Sequence, residues 1–446
     1  MSTSSSSGPP GEEHQPDAPQ DQDGAQQQGQ GQDSEKSGGH RAPAVLTATR
    51  PFWIDPTESA YPSLEGDASV EVAVVGGGIA GVGAVRWLLE AGVESVALLE
   101  RRTVCSGASG RNAGFVMAVA PENFPLTDDP VEHAEAAAVW EFTAINQQLV
   151  ADTIADLELA CDYRRRGSLG LAAYPEEWER MVLTAEIAQD NGLGVMLVDR
   201  ADLPGEWLRE DYYGGAWFPG NGELNPGAFV RGLAAHLHRQ GACIWEHTDV
   251  LEIEEDGEGY RLRTPAGSVS AGSLVLATNA YTREILPSAE LVIFPVRGQV
   301  LATSPVEECI VECPVYANDG FQYWRQTVNG SIVVGGWRDM DAQTEVGTVE
   351  ELNFAIQTRL EQVARRMSAP RKIRIANRWA GIMGFTPDRR PLVGYVPGCE
   401  NAVLCAGFSG HGMAMAYHSA REAVSMLLQQ GSPYAALFDP ARFDAG

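Results

Sequence analysis

Lysine is almost absent from this chain. Lys36 and Lys372 are the only two, so arginine supplies the rest of the 32 basic residues, against 60 acidic ones and a formal net charge of −28. Nucleic-acid binding rests on clustered bases that meet phosphates, and a surface of this sign repels a polyanion. The imbalance fits a salt-rich cytoplasm or an arginine-biased genome, and charge alone does not separate the two. Cysteine is also scarce: the seven, at 105, 161, 243, 309, 313, 399 and 405, form an odd set without a C-x-x-C. They read as free thiols. Cys309 and Cys313, the one close pair, read as unrelated thiols on a loop or strand end, and no metal site is expected. The longest apolar stretch, Val72 to Val85, is broken by glycines and is too short to span a bilayer. The amino terminus has neither a basic n-region nor an apolar h-region, so no secretory signal is read there and a cytoplasmic location is expected.

What is present is a chain of 446 residues, long enough for two or three domains. Residues 1–45 are Ser, Gln, Gly, Pro and Asp with almost no apolar side chains, a composition that cannot bury enough surface to offset its ordering entropy. They are expected to form a disordered acidic low-complexity tail. From Val70 the text becomes VEVAVVGGGIAGVGAVRWLLEAGVESVALLE, a buried strand, a glycine turn, a helix and a second strand ending in an acid, which is one βαβ unit. Helical patterns follow at 175–192 and 227–242, and strand-like alternation at 164–174, 245–255, 260–267 and 272–281. Between Leu291 and Trp337 nearly everything is strand-like, punctuated by Asp-Gly and Asn-Gly turns, which predicts an antiparallel sheet distinct from the parallel one. The strand AVLCAGF and a helix from Gly412 through Gln429 return the chain to α/β.

Gly76-Gly77-Gly78-Ile79-Ala80-Gly81 satisfies G-x-G-x-x-G directly after a strand and opens a helix. Its glycines allow a tight turn, close approach of backbone to a pyrophosphate and close helix-to-strand packing, while the helix N-terminus favours negative charge. Glu100, at the end of the next strand, is placed to accept hydrogen bonds from ribose hydroxyls and disfavours the extra phosphate of NADP. Just beyond, CSGASGRNAGF at 105–115 reads in isolation as an exposed Gly/Ser loop. After a dinucleotide turn it becomes a set of backbone donors facing an anion, with Arg111 and Asn112 beside them.

With these pieces the chain resembles the D-amino-acid oxidase, glycine oxidase and sarcosine oxidase superfamily of flavoproteins. The resemblance rests on FWIDPTESAYPSLEGDASVEVAVVGGGIAG, on GASGRNAG, and on GFTPDRRPLVGYVP followed by VLCAGFSGHGM. It spans Phe52 to Gln430 and is nearest the gamma-glutamylputrescine oxidoreductase type. It implies an α/β fold in which a Rossmann-like FAD-binding domain (46–160, 223–288 and 376–446) is interleaved with an antiparallel-sheet substrate domain (161–222 and 289–375). It also implies that Gly76, Gly78 and Gly81 hold the pyrophosphate and Glu100 the adenosine ribose, with Ile79, Ala80 and Arg101 also at the cofactor. Ser109, Arg111 and Asn112 would run along the phosphate and flavin, Val250 would meet the adenine edge, and Ala277 and Thr278 would close over the diphosphate. Gly381, Gly407, Phe408, Ser409, Gly410, His411 and Gly412 would border the isoalloxazine.

The late block is legible by itself, since a glycine-rich turn at a helix N-terminus offers unpaired N–H donors and a positive dipole end to a developing negative charge. Two departures from the family pattern matter. Gly381 stands where sarcosine oxidases carry the cysteine that bonds their flavin, so the FAD is expected to be non-covalent. Ala414 stands where those enzymes carry a carboxylate-binding lysine, and the strand SIVVGGW lacks their oxygen-activating lysine, so oxygen or another electron acceptor remains open. Substrate contacts are expected from the antiparallel domain, among Arg297, Tyr323, Trp324, Arg325 and Trp337. Tyr323 and Trp324 are aromatic walls for an amine, and His411 is a candidate beside the reacting centre. The expected reaction is hydride transfer from the carbon next to an amine nitrogen to FAD, giving an imine that hydrolyses. An NAD-dependent dehydrogenase, or a flavin-binding protein without turnover, are the alternatives.

Overall fold

Val72, Ala73, Val74 and Val75 are buried on both faces of the strand Ala68–Val75, the pattern of a central parallel strand covered on each side. The computed structural model describes residues 49–118, 130–190, 192, 194–257, 259–286, 292–399 and 401–443; the low-complexity tail expected at 1–45 lies outside them. Ala68–Val75 pairs in parallel with Val96–Leu99 on one side and Gly267–Leu276 on the other. The sheet continues outward through Cys243–Trp245 at one edge and through Ala402–Ala406 and Leu392–Tyr395 at the other. Three segments far apart in sequence therefore build one α/β layer. Its strand ends at Val75, Leu99 and Leu276 lie side by side, where ligands of open α/β sheets bind.

The glycine motif opens the helix Ile79–Glu90, which packs against the helix Gly412–Leu427. The approach is close because Gly83 has no side chain: a Cβ there would stand 2.9 Å from the Tyr417 ring and 3.2 Å from Ala420 Cβ. A further helix, Pro130–Asp156, flanks the second of these and escaped the sequence reading, since its apolar residues mark no single face. Buried Asn146 on it donates to Met413 O at 3.0 Å and accepts from the His418 amide at 3.0 Å, fixing the start of Gly412–Leu427.

The second sheet has the order Ile375–Phe385, Phe294–Thr303, Ile332–Gly336, Gln322–Gln326, Val315–Ala317, Ser168–Ala172, Gly214–Phe218 and Met196–Asp199. All neighbours are antiparallel except Val315–Ala317 with Ser168–Ala172, the seam where the two chain halves join. The boundary expected at 375/376 needs correction. Ile375–Phe385 pairs along its length with Phe294–Thr303 and is the edge strand of the antiparallel sheet, so the return to the α/β layer comes only after Phe385. Among the described residues no helix is long and apolar enough to cross a membrane.

Candidate active site

At the end of the first strand, Gly76 adopts φ +108°, and a Cβ there would lie 2.7 Å from Ala277 O, so only glycine lets the neighbouring strand's exit pass. A Cβ at Gly81 would stand 1.8 Å from Gly76 O, which fits helix and turn together. The Gly77 amide donates to Glu100 Oε2 at 2.7 Å, and the Arg102 amide to Glu100 Oε1 at 2.9 Å. Burial holds the Glu100 carboxyl above the usual carboxylate range, and these two amides partly offset it.

The loop after Glu100 folds back on this turn. The Cys105 amide donates to Gly77 O, the Ile79 amide to Ser109 Oγ, and a Cβ at Gly78 would meet Ser109 Oγ at 3.0 Å. Arg111 and Asn112 reach the wall of the cavity, but their side-chain donors serve the protein itself. Arg111 donates to Ser106 O and Ala380 O and pairs with Glu350 at 2.9 Å; Asn112 Nδ2 donates to Ala108 O and Ser109 O. Both shape the loop that presents its backbone.

The late turn is the opposite wall. Ser409 and Gly410 adopt φ +48° and +87°, and Ser409 is tied down by its amide to Gly384 O at 2.7 Å and by the Thr386 amide to its Oγ at 3.2 Å. His411 faces the cavity and donates from Nδ1 to Ser409 O at 3.1 Å, which leaves Nε2 as an acceptor because the carbonyl only accepts. Its protein surroundings hold its pKa below the ordinary imidazole value, and Arg389 and Arg338 push the same way against the Ser409 carbonyl.

These walls enclose one cavity of about 710 Å3. Lining it are Gly76, Gly78, Ile79, Ala80, Glu100, Arg101, Ser109, Arg111, Asn112, Val250, Ala277, Thr278, Gly381, Phe408, Ser409, Gly410, His411 and Gly412, so residues spread over more than three hundred positions meet there. Gly81 and Gly407 do not reach it. Gly81 acts in the packing just described, and the Gly407 amide donates to Asn279 Oδ1 behind the wall.

Tyr323 and Tyr316 of the antiparallel sheet, with Phe115 from the short strand Phe115–Val116, roof the cavity, their ring centroids 5.0 to 6.2 Å apart. Gly335 makes room for this cluster: a Cβ there would overlap the Tyr323 ring at 2.2 Å. Trp324 is corrected. Successive strand residues face opposite sides, so Trp324 points away and is buried against Trp207 and Tyr212 at 5.5 and 6.1 Å. Arg325 pairs with buried Glu223 at 2.9 Å, Arg297 binds Glu345 and Glu351, and Trp337 is core; none lines the cavity. Two arginines absent from the sequence reading do, Arg338 and Arg389. Arg389 stood in view within GFTPDRRPLVG, but nothing in that run sets it apart from Arg390.

A glycine turn at adjoining parallel strand ends, an acid on the next strand and an antiparallel aromatic roof over one cavity define a nucleotide-cofactor redox enzyme. Residues 71–426 match the family model described as DAO, FAD dependent oxidoreductase, and the chain belongs to that family. It is 24% identical over 372 residues to a probable oxidoreductase OrdL of Haemophilus influenzae, covering 80% of this chain and 82% of that one. To the glycine oxidase of Geobacillus kaustophilus it is 25% identical over 353 residues (77% and 89%), and to the gamma-glutamylputrescine oxidoreductase of Escherichia coli K12 24% over 406 (86% and 88%). The crystal structure of the Geobacillus kaustophilus glycine oxidase superposes with a TM-score of 0.71 at 20% identity, covering 84% of this chain and 99% of that one. That of L-proline dehydrogenase from P. horikoshii gives 0.68 at 22% identity, over 85% and 99%. The chain is thus an FAD-dependent oxidoreductase. Its cavity fits the group: bare glycine backbone at Gly76 and Gly78, where side chains would collide with Ala277 O and Ser109 Oγ, would admit a diphosphate, and an acceptor carboxylate, Glu100, stands beside it.

Proposed function

We propose that this enzyme oxidises the C–H bond next to the nitrogen of a small amine or amino-acid derivative. The observation that carries the reading is the single continuous cavity: the Gly76–Gly78 turn and Glu100 line it at one wall, the Gly410–Gly412 turn at another, and Tyr323 and Tyr316 roof it. In this reading the Gly76–Gly78 turn and Ser109 would hold the FAD diphosphate, Glu100 the adenosine ribose, and Ser409 to Gly412 the ring. FAD, when bound, supplies the hydride acceptor, and the imine left behind is hydrolysed by water.

What the chain's own residues contribute is positioning and exclusion of water. The aromatic roof offers ring faces to a cationic or polarised nitrogen. Burial pushes the Tyr323 hydroxyl up to about 12, so it stays protonated and acts as a hydrogen-bond donor or acceptor rather than a base. His411 remains a neutral acceptor at Nε2. None of the seven cysteines lines the cavity, and a side chain at Gly381 would press on Arg111 Cβ at 3.1 Å, which supports non-covalent FAD. The names of the relatives, glycine oxidase and gamma-glutamylputrescine oxidoreductase among them, support an amine substrate.

The test is anaerobic mixing of the yellow holoprotein with gamma-glutamylputrescine, sarcosine, glycine and proline, followed at the flavin absorbance bands. Bleaching by at least one amine is expected. Oxidised flavin persisting across a broad amine panel would sink the reading. Peroxide measured on readmitting air then decides between oxygen and another acceptor.

A further inference from the structure

Six arginines line the cavity of this strongly acidic protein, and four of them are already held in ion pairs. Arg101 pairs with Glu284 at 2.9 Å, Arg102 and Arg111 share Glu350 at 2.9 Å each, and Arg390 pairs with Glu135. Arg338 and Arg389 are different. Among the described residues neither guanidinium makes a hydrogen bond or an ion pair, although carboxylates stand close by. Asp388 is taken by Arg442 through both oxygens, Asp319 by Arg180 and Tyr174, and Asp339 by Asn318. We infer that Arg338 and Arg389 form a two-part anion subsite and that the substrate is an amine carrying two carboxylates, one for each guanidinium. This rests on the amine-oxidation reading of the same cavity.

The backbone supports a built site. The Arg338 guanidinium carbon stands over the rings of Phe321 and Phe385, 4.4 and 5.0 Å from their centroids, half removed from water and without an ion-pair partner. Leaving a partly desolvated cation unpaired is costly, and the approach to it is costly too. Trp337 adopts φ +58°, a left-handed conformation rare for a bulky side chain, directly after Gly336 at φ +109°. Its amide donates to Phe321 O at 2.6 Å and, with its buried ring, pins the turn that leads into Arg338. Arg389, at φ +61°, is a second left-handed residue and stands exposed at the rim. Such strain persists where surroundings enforce it, and it concentrates at ligand sites.

The planar guanidinium matches a carboxylate through paired hydrogen bonds. One group at half-buried Arg338 and one at exposed Arg389 describe an inner and an outer acid, hence an amino dicarboxylate rather than a simple amine. Neutral His411 beside them adds no third charge.

The holoenzyme tests this in two ways. Binding of unreactive propionate, succinate, glutarate and methylphosphonate is read from perturbation of the flavin visible spectrum, independent of turnover. Anaerobic flavin bleaching is then compared for N-methylbutylamine, sarcosine and N-methylglutamate. Succinate or glutarate is expected to bind about tenfold more tightly than propionate, the worth of one added charge-assisted contact. Arg389→Gln should bring the diacids down to the propionate level, and Arg338→Gln should weaken both classes, with Arg338→Lys in between and flavin content and Tm retained. Equal binding of mono- and diacids, an unchanged Arg338→Gln, or methylphosphonate binding tighter than succinate overturns the subsite. Diacid binding as expected with no bleaching by any amine keeps the subsite and removes the amine reading. Bleaching indifferent to acid groups does the reverse.

Discussion

Ser109 Oγ accepts the Ile79 amide at 2.9 Å and thereby ties the loop after Glu100 to the first turn of the glycine helix. The hydroxyl does the work of a helix cap from thirty residues away, and it stands on the cavity wall. Ser109→Ala should cost about 1 kcal/mol of stability and weaken FAD several-fold, while Ser109→Thr, which keeps the oxygen, recovers most of both. Urea unfolding and fluorescence titration of apoprotein with FAD measure the two effects; unchanged FAD affinity in the alanine variant would remove the loop from cofactor binding.

The glycines of the site divide into those that are crowded and those that are free. A methyl group at Gly81 would lie 1.8 Å from Gly76 O, whereas nothing lies within 4 Å of one at Gly107. Gly81→Ala is expected to lose FAD and about 3 kcal/mol or more of stability, in the range of backbone collisions in a core. Gly107→Ala should retain Tm. If the two behave alike, helix-to-turn packing at Gly81 is not what the motif requires.

The difference between such glycines was only half legible in the sequence. Periodicity identified the central strand, the glycine turn and the terminal acid because each is a local pattern, and a local pattern constrains the backbone directly. The antiparallel sheet was legible as strands but not as an order, since pairing Val315–Ala317 with Ser168–Ala172 joins residues far apart in the chain. Arg111 illustrates the other limit: residue type pointed to a donor, but which acceptors it serves depends on Ser106, Ala380 and Glu350 coming together in space. Arg338 was hidden for the same reason. Its importance lies in the lack of a partner, and that is a property of the folded chain alone.

Tyr323 and Trp324 are neighbours on one strand with opposite duties. Tyr323→Phe should change the rate of flavin bleaching by amine and leave Tm nearly untouched, because the ring stays and only the cavity hydroxyl goes. Trp324→Leu should do the converse, costing about 3 kcal/mol through the void left beside Trp207 and Tyr212 with the rate per bound flavin preserved. Stopped-flow reduction and thermal unfolding of both variants, side by side, decide it; a rate loss confined to the Trp324 variant would place the strand the other way round.

A formal charge of −28 makes the folded chain repel itself, and salt screens that repulsion. Tm should rise as sodium chloride goes from low to molar concentration. A flat or falling curve would discard adaptation to a salt-rich cytoplasm and leave an arginine-biased genome as the account of the composition.

His411 gives the pH dependence. Its protein surroundings, with Arg389 and Arg338 behind them, hold its pKa below the imidazole value near 6.5 that the unfolded chain shows. Between those two values the unfolded chain binds a proton that the folded one refuses, so stability rises with pH through that window. The contribution is complete above about 6.5 and is lost as pH falls through the folded value. Wild-type protein should therefore lose more stability between pH 7 and pH 5 than His411→Gln, whose side chain does not titrate. Arg338→Gln should move the folded value upward by removing a nearby positive charge. Titration of the imidazole by NMR reads both shifts, and a folded His411 protonating at or above the ordinary value would refute the neutral acceptor that the cavity wall requires.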